Sequence, residues 1–334
     1  MCYTLIANHL QKGVQLMRKF LYSILILSSA IFLMSCTSSK NADIVTTAFP
    51  QYDFARAIVK DKMTVSLLVN PGQEIHKYEV TSKDRIAINQ SKLFIFTSLE
   101  IDQWLKDPSS MAGESTIIMD LSASFVEVHD DHLSLSTSNL EVDDHDHNHD
   151  IHYWVDPLIA IELIHAIYDN IILIDPENQA FYQSNMEAYV EEIHELHESF
   201  ETLIEINGWK DKTLYFAGHN ALGLFAERYH LNIVSIYTDF KPEQDTLSAE
   251  MITFMNLIKN SDTHYLMIEE LIEPLVANKI VESLSKENYE LQLLELHAYH
   301  NVSNTDFNNK ESYTSLFARN ILHITLALAG GNND

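Results

Sequence analysis

Thiols, glycine and positive charge are all scarce in these 334 residues. The two cysteines, Cys2 and Cys36, both fall before residue 37, so the rest of the chain offers no thiol for a disulfide or a thiolate metal site. Any metal held there is held by nitrogen and oxygen. Glycine occurs only eight times and forms no glycine-rich phosphate loop, which removes the usual nucleotide-cradling motif. Lys and Arg number 21 against 48 Asp and Glu, a formal net charge of −27. Nucleic-acid binders carry the opposite balance, whereas a surface of this sign draws cations. Apolar residues make up 46% of the chain, ample for packed cores, and the length suits two domains of ordinary size.

An apolar run of 16 residues, FLYSILILSSAIFLMS at 20–35, follows Arg18-Lys19 and precedes Cys36. It is shorter than the ~20 residues of a spanning helix. A basic region, an apolar stretch and a small residue before the cut describe a secretory signal, with an uncleaved membrane anchor as the alternative. Leu33-Met34-Ser35-Cys36 resembles a bacterial lipobox. The expectation is a signal over 1–35 with Met17 as the start, a lipid on Cys36, a polar tether over 36–42, and a mature protein anchored outside the cytoplasm. Removing 1–35 takes Lys12, Arg18 and Lys19 but no acid, and moves the balance to −30.

Beyond the tether, short apolar segments alternate with helical ones. DIVTTAF (43–49), MTVSLLV (63–69), KLFIFTS (92–98) and STIIMDLS (115–122) read as strands, with helices at QYDFARAIV and, opened by a Thr N-cap, TSKDRIAINQS. Residues 123–151 carry no apolar period and are rich in Asp, His and Ser, which predicts a long mobile surface loop. Asp156-Pro157 makes an N-cap and first-turn pair. From Asp175 to Asn207 apolar residues recur at three- and four-residue intervals, predicting a helix roughly 45 Å long that Asn207-Gly208 stops. A second series follows, with strands at 213–218, 231–237, 263–268 and 289–296, and helices at 220–229, 246–260, 273–286 and from Glu311 onward. The predicted fold is α/β. Two lobes, 43–174 and 208–330, each carry a mainly parallel sheet flanked by helices, and one long rigid helix, 175–207, joins them.

Four of the 17 histidines stand just past strands: His76 after a Pro-Gly turn, His152 at a helix opening, His219 after TLYFAG and His297 after YELQLLEL. Open α/β sheets bind ligands outside the carboxyl ends of their strands, so facing lobes can bring four imidazoles together. Four nitrogens fit tetrahedral zinc, with Zn–N near ~2.0–2.1 Å.

These segments resemble the metal-binding lipoproteins that feed bacterial zinc and manganese ABC transporters. IVTTAFPQYDFARAIVKDKMTVSLLVNPGQEIHKYEVTSKD is similar to the family's opening, and DIHYWVDP to its Asp-x-His-x-Trp-x-Asp-Pro signature. LYFAGHNALGLFAERYHL resembles the third-ligand segment, and LLELHAYHNVS with SYTSLFARNI the last strand and helix. The resemblance runs from Asp43 to Leu328 and implies His76, His152, His219 and His297 as metal ligands. For the fourth, His300, Glu295 or an open position also stay in play. Ile75 stands at a usual proline and His230 at a usual glycine. Manganese members carry carboxylates at the third and fourth positions. Histidine at both implies Zn²⁺ over Mn²⁺.

The implied function is capture of Zn²⁺ between the lobes by a monomeric, lipid-anchored binding protein. It would deliver the ion to an ABC permease and its ATPase, without covalent chemistry and without nucleic acid. The alternatives are a zinc hydrolase with an open coordination site, and an adhesin-like lipoprotein of the same family. His194 and His197 in HELHE are three apart, whereas the protease motif needs four, and are expected on a solvated helix face. EELIEP (269–274) is taken as structural. His129, His132, His145, His147 and His149 alternate with acids in the 123–151 loop and read as a weak auxiliary metal collector, apart from His152.

Overall fold

Two four-stranded sheets, every pairing in them parallel, organise the computed structural model, which describes residues 42–125, 147–219, 221–237 and 248–330. The first contains β1 (Ile44–Thr46), β2 (Val65–Leu67), β3 (Leu93–Phe96) and β4 (Ile117–Asp120) in the order β2-β1-β3-β4. The second contains β5 (Thr213–Ala217), β6 (Asn232–Ser235), β7 (Tyr265–Ile268) and β8 (Gln292–Glu295) in the order β6-β5-β7-β8. The two sheets thus follow one plan, a duplication of topology that the sequence does not display. Helices cover the sheets, so the central strands are apolar on both faces; all four residues of β3 are buried.

The helices in chain order are α1 (Phe49–Val59), α2 (Ser82–Gln90), α3 (Pro157–Ile174), α4 (Gln179–Asn207), α5 (Gly223–Arg228), α6 (Ser248–Ser261), α7 (Leu275–Ser285), α8 (Asn304–Asn309) and α9 (Tyr313–Ala329). Their ends follow local chemistry. Thr81 caps α2 in a reciprocal capping box with Asp84, and Asp156 accepts from the Leu158 N–H with Pro157 in the first turn of α3. Gly208 ends α4 in the left-handed region at φ 63°, where glycine meets no Cβ clash. His230, at the position where the resembling family has glycine, is also left-handed at φ 50°.

The α4 helix has 29 residues, about 44 Å of rod. Its buried stripe is Tyr182, Met186, Tyr189, Ile193, His197, Phe200 and Ile204. His197 therefore corrects the expectation of a solvated HELHE face. Four residues after Ile193 and three before Phe200, it falls on the core side, and its Nδ1 lies 2.9 Å from the Tyr229 hydroxyl. His194, off that stripe, keeps an exposed side chain. One apolar cluster runs through both sheets, from Ile44, Leu93 and Ile95 to Phe216, Met267 and Leu296, by way of Trp154, Tyr313 and Phe317.

Three other expectations shift. The helix predicted from residue 220 begins at Gly223, because the preceding residues turn, with the Ala221 N–H on the His219 carbonyl. Residues 121–125 are helical and His147–Val155 is a 3-10 stretch, so the 123–151 segment is structured at both described ends. Helix α8 was not anticipated, although Ser303, its N-cap, accepts from the Asp306 N–H. The leader, Cys36, His129, His132 and His145 lie outside the described residues.

Candidate metal centre

Loops leaving the carboxyl ends of both sheets converge on one point. His76 sits on a 3-10 turn, Ile75–Lys77, after β2, where the Glu74 carboxylate accepts its N–H at 2.8 Å. His152 lies in the 3-10 stretch after β4 but leaves helical geometry, at φ −98° and ψ 40°. His219 follows β5 and His300 follows β8. One ligand nitrogen from each of these four rings lies within 4.8 Å of all the others. All six centroid separations fall between 4.7 and 5.9 Å. A tetrahedral zinc with Zn–N of ~2.0–2.1 Å sets ring centroids roughly 5 Å apart. His152, His219 and His300 are buried and His76 is part-exposed.

The fourth ring is His300, not His297, which corrects the first of the options held open for that position. The chain leaves β8 with His297 clamped by Asn320 of α9, whose Oδ1 accepts the His297 N–H and whose Nδ2 donates to the His297 carbonyl, both at 2.8 Å. The His297 Nδ1 accepts the Tyr299 N–H at 2.9 Å, closing a local turn. Tyr299 then takes the left-handed conformation, at φ 63°, and this reversal places His300 among the other three rings. His297 caps the bend that presents its neighbour.

The surrounding contacts hold the four loops in register. Trp154, buried, stacks edgewise on both His152 and His300 and donates Nε1–H to the Ala298 carbonyl at 2.9 Å. Tyr153 donates its hydroxyl to the Thr97 carbonyl at 2.6 Å. Thr97 in turn belongs to a buried network in which Asp102 accepts from the Thr97 N–H (2.7 Å) and the Thr47 hydroxyl (3.1 Å). Asn301 donates to the carbonyls of Asn70 and Gln73 at 2.8 and 2.9 Å, and Gly72 donates to the Val302 carbonyl at 2.8 Å. The segment carrying His300 is thereby tied to the one carrying His76. Arg228 of α5 pairs with Asp156 at 2.7 Å, tying the His219 side to the cap that follows His152.

Two glutamates that were read as structural stand directly behind the rings. Glu269 Oε1 lies 2.5 Å from His219 Nδ1, and Glu270 Oε1 lies 3.1 Å from His300 Nδ1. Their effect shows in the proton affinities. Burial, with repulsion from His300 and His219, pulls His76 down to about 3, so it is neutral and basic toward a metal at pH 7. Burial also works against a charged His219, but the hydrogen bond and charge of Glu269 outweigh it and raise the ring above its ordinary value. Burial would raise Glu270, yet His297 and His300 hold it down at about 2. The sequence signal was there: adjacent acids at the end of the apolar strand YLMI are too buried to be left without partners.

Comparison with known proteins adds independent findings. The family model described as zinc-uptake complex component A, periplasmic, matches residues 44–327. The zinc-binding lipoprotein AdcA of Streptococcus pneumoniae is 25% identical over 303 residues, which cover 87% of this chain but only 58% of that protein. The high-affinity zinc uptake system protein ZnuA of Bacillus subtilis is 26% identical over 259 residues, covering 75% of this chain and 78% of that one. Among solved structures, the Zn(II)-bound ZnuA-like domain of S. pneumoniae AdcA superposes with a TM-score of 0.68 at 21% identity, covering 86% of this chain and 99% of that domain.

Proposed function

The chain belongs to the zinc-uptake complex component A family, and on that premise we propose that it captures one Zn²⁺ among His76, His152, His219 and His300 and delivers it to an ABC permease and its ATPase. The observation carrying this reading is the set of four mutually adjacent imidazoles at zinc spacing. Imidazole nitrogens suit zinc, whereas a hard-oxygen set would suit manganese. With four protein ligands the shell is closed, and no corner remains for the activated water a zinc hydrolase requires, so the protein is a carrier. Its lobes are 43–174 and 208–330, with 175–207 between them. A lipid on Cys36 holds it at the outer face of a bacterial membrane, consistent with the lipoprotein name of AdcA. The net charge of −27 enriches cations at its surface. His129, His132, His145, His147 and His149 serve as a looser collector that feeds the site.

Titrating the metal-free protein with Zn²⁺ by calorimetry tests this. One tight site is expected, weakened steeply in His76→Ala, His152→Ala, His219→Ala and His300→Ala. Unchanged affinity in any two of these variants would overturn the assignment.

A further inference from the structure

Strand β7 runs between β5 and β8, with Ala217 paired to Ile268 and Ile268 to Glu295. The two strands beside it lead to His219 and His300. The residues that follow Ile268 are Glu269 and Glu270, and successive side chains along an extended chain point to opposite sides. One carboxylate therefore reaches each neighbouring loop. Glu269 lies 2.5 Å from His219 Nδ1 and also accepts the His219 N–H at 3.1 Å. Glu270 lies 3.1 Å from His300 Nδ1 and also accepts the Ala298 N–H at 3.1 Å. Each carboxylate thus grips one ring and a backbone donor of the loop that bears it. Both are buried, at 8% and 4% exposure, so neither is a solvated acid that happens to lie nearby.

The backbone is shaped around this pair. A Cβ at Gly218 would stand 2.8 Å from the Glu269 Cβ, so glycine there admits the carboxylate beneath the His219 loop. Leu271, immediately after Glu270, is left-handed at φ 62°, a conformation that a branched side chain resists.

A carboxylate only accepts hydrogen bonds, so a ring nitrogen facing it carries the proton. His219 and His300 are then Nδ1–H tautomers whose Nε2 lone pairs are the metal-binding ones. The charge follows the same logic. Four neutral imidazoles leave a bound divalent ion at +2 in a buried site, and a buried uncompensated charge is heavily penalised. Two carboxylates one ring away bring the sum to zero.

Building on the zinc-capture reading, we propose that Glu269 and Glu270 are positioning residues of the site. They fix the His219 and His300 tautomers and supply the two negative charges that make an all-histidine centre selective for a divalent cation.

The test uses the whole mature chain. Long-range proton–nitrogen NMR of the metal-free protein is expected to show Nδ1–H tautomers for His219 and His300. The signature should shift for His219 alone in Glu269→Gln and for His300 alone in Glu270→Gln. Zn²⁺ affinity is expected to fall 10- to 100-fold in each variant, the usual consequence of losing a ligand's hydrogen-bond partner, with a smaller loss for Cu⁺. Nε2–H tautomers in the unaltered protein overturn the inference without any variant having to fold. Zn²⁺ affinity unchanged in both glutamine variants, alongside its loss in His76→Ala, overturns the inference and leaves the site standing. Affinity unchanged in His76→Ala, which neither glutamate touches, brings down the zinc site and this inference together.

Discussion

Alanine at position 300 and alanine at position 297 should have crossed effects, because the two histidines sit three residues apart and serve different ends. A structural zinc with four protein ligands releases roughly 10–16 kcal/mol on binding, so one ligand in four carries about 2.5–4 kcal/mol. At ~1.4 kcal/mol per decade, His300→Ala should weaken Zn²⁺ binding roughly 70- to 900-fold. The metal-free protein should still fold, since Glu270 keeps the Ala298 N–H and lies 3.7 Å from His297. His297→Ala removes a ring that is 1% exposed and that accepts the Tyr299 N–H. A stranded buried donor and a cavity together cost about 2–4 kcal/mol of stability, while the four-ring set stays intact. Competition against a chelating indicator reads the affinities, and urea denaturation of the metal-free proteins reads the stabilities. A larger loss of zinc affinity in His297→Ala than in His300→Ala would refute both the ligand assignment and the bend that underlies it.

Burial pushes the Asp102 carboxyl up to about 6 from an unfolded value of 3.8. Its contribution to stability is therefore fully present below pH 3.8 and is lost as pH rises through 6, by about 3 kcal/mol in all. Asp102→Asn should flatten the pH dependence of the denaturation midpoint between pH 4 and 7, and an unaltered slope would rule this out. Asn301→Ala removes both bonds to the His76 loop and should speed zinc release into excess chelator roughly 10- to 30-fold; a release rate equal to that of the parent protein counts against the tie. Deleting residues 129–149 should remove weak additional zinc binding and keep the tight site. Loss of tight binding as deep as that in His152→Ala would show that the loop and His152 are not separate functions.

The alternation of short apolar strands with amphipathic helices made the α/β class readable, because periodicity records burial directly. His76, His152 and His219 were readable for a similar reason: a histidine one to nine residues past an apolar strand is carried to the sheet's carboxyl edge. The choice between His297 and His300 was not. It turns on Tyr299 adopting a left-handed backbone, and nothing about a tyrosine signals that conformation as a glycine would. His197 was misplaced because the HELHE string drew attention to charge rather than to its place between Ile193 and Phe200. Glu269 and Glu270 went unrecognised because their partners lie on neighbouring strands, some 30 to 50 residues away in the chain. The shared strand order was hidden because two sheets can follow one plan with unrelated side chains.

The uneven exposure of the four rings fixes an order of events. Three are interior, and only His76 meets solvent. An arriving ion touches His76 first and is then drawn inward by His152, His219 and His300. With no other agent present, departure retraces arrival, so the interior rings let go before His76 does. His76 is then first to greet the ion and last to lose it, and whatever receives the ion takes it over from a single imidazole.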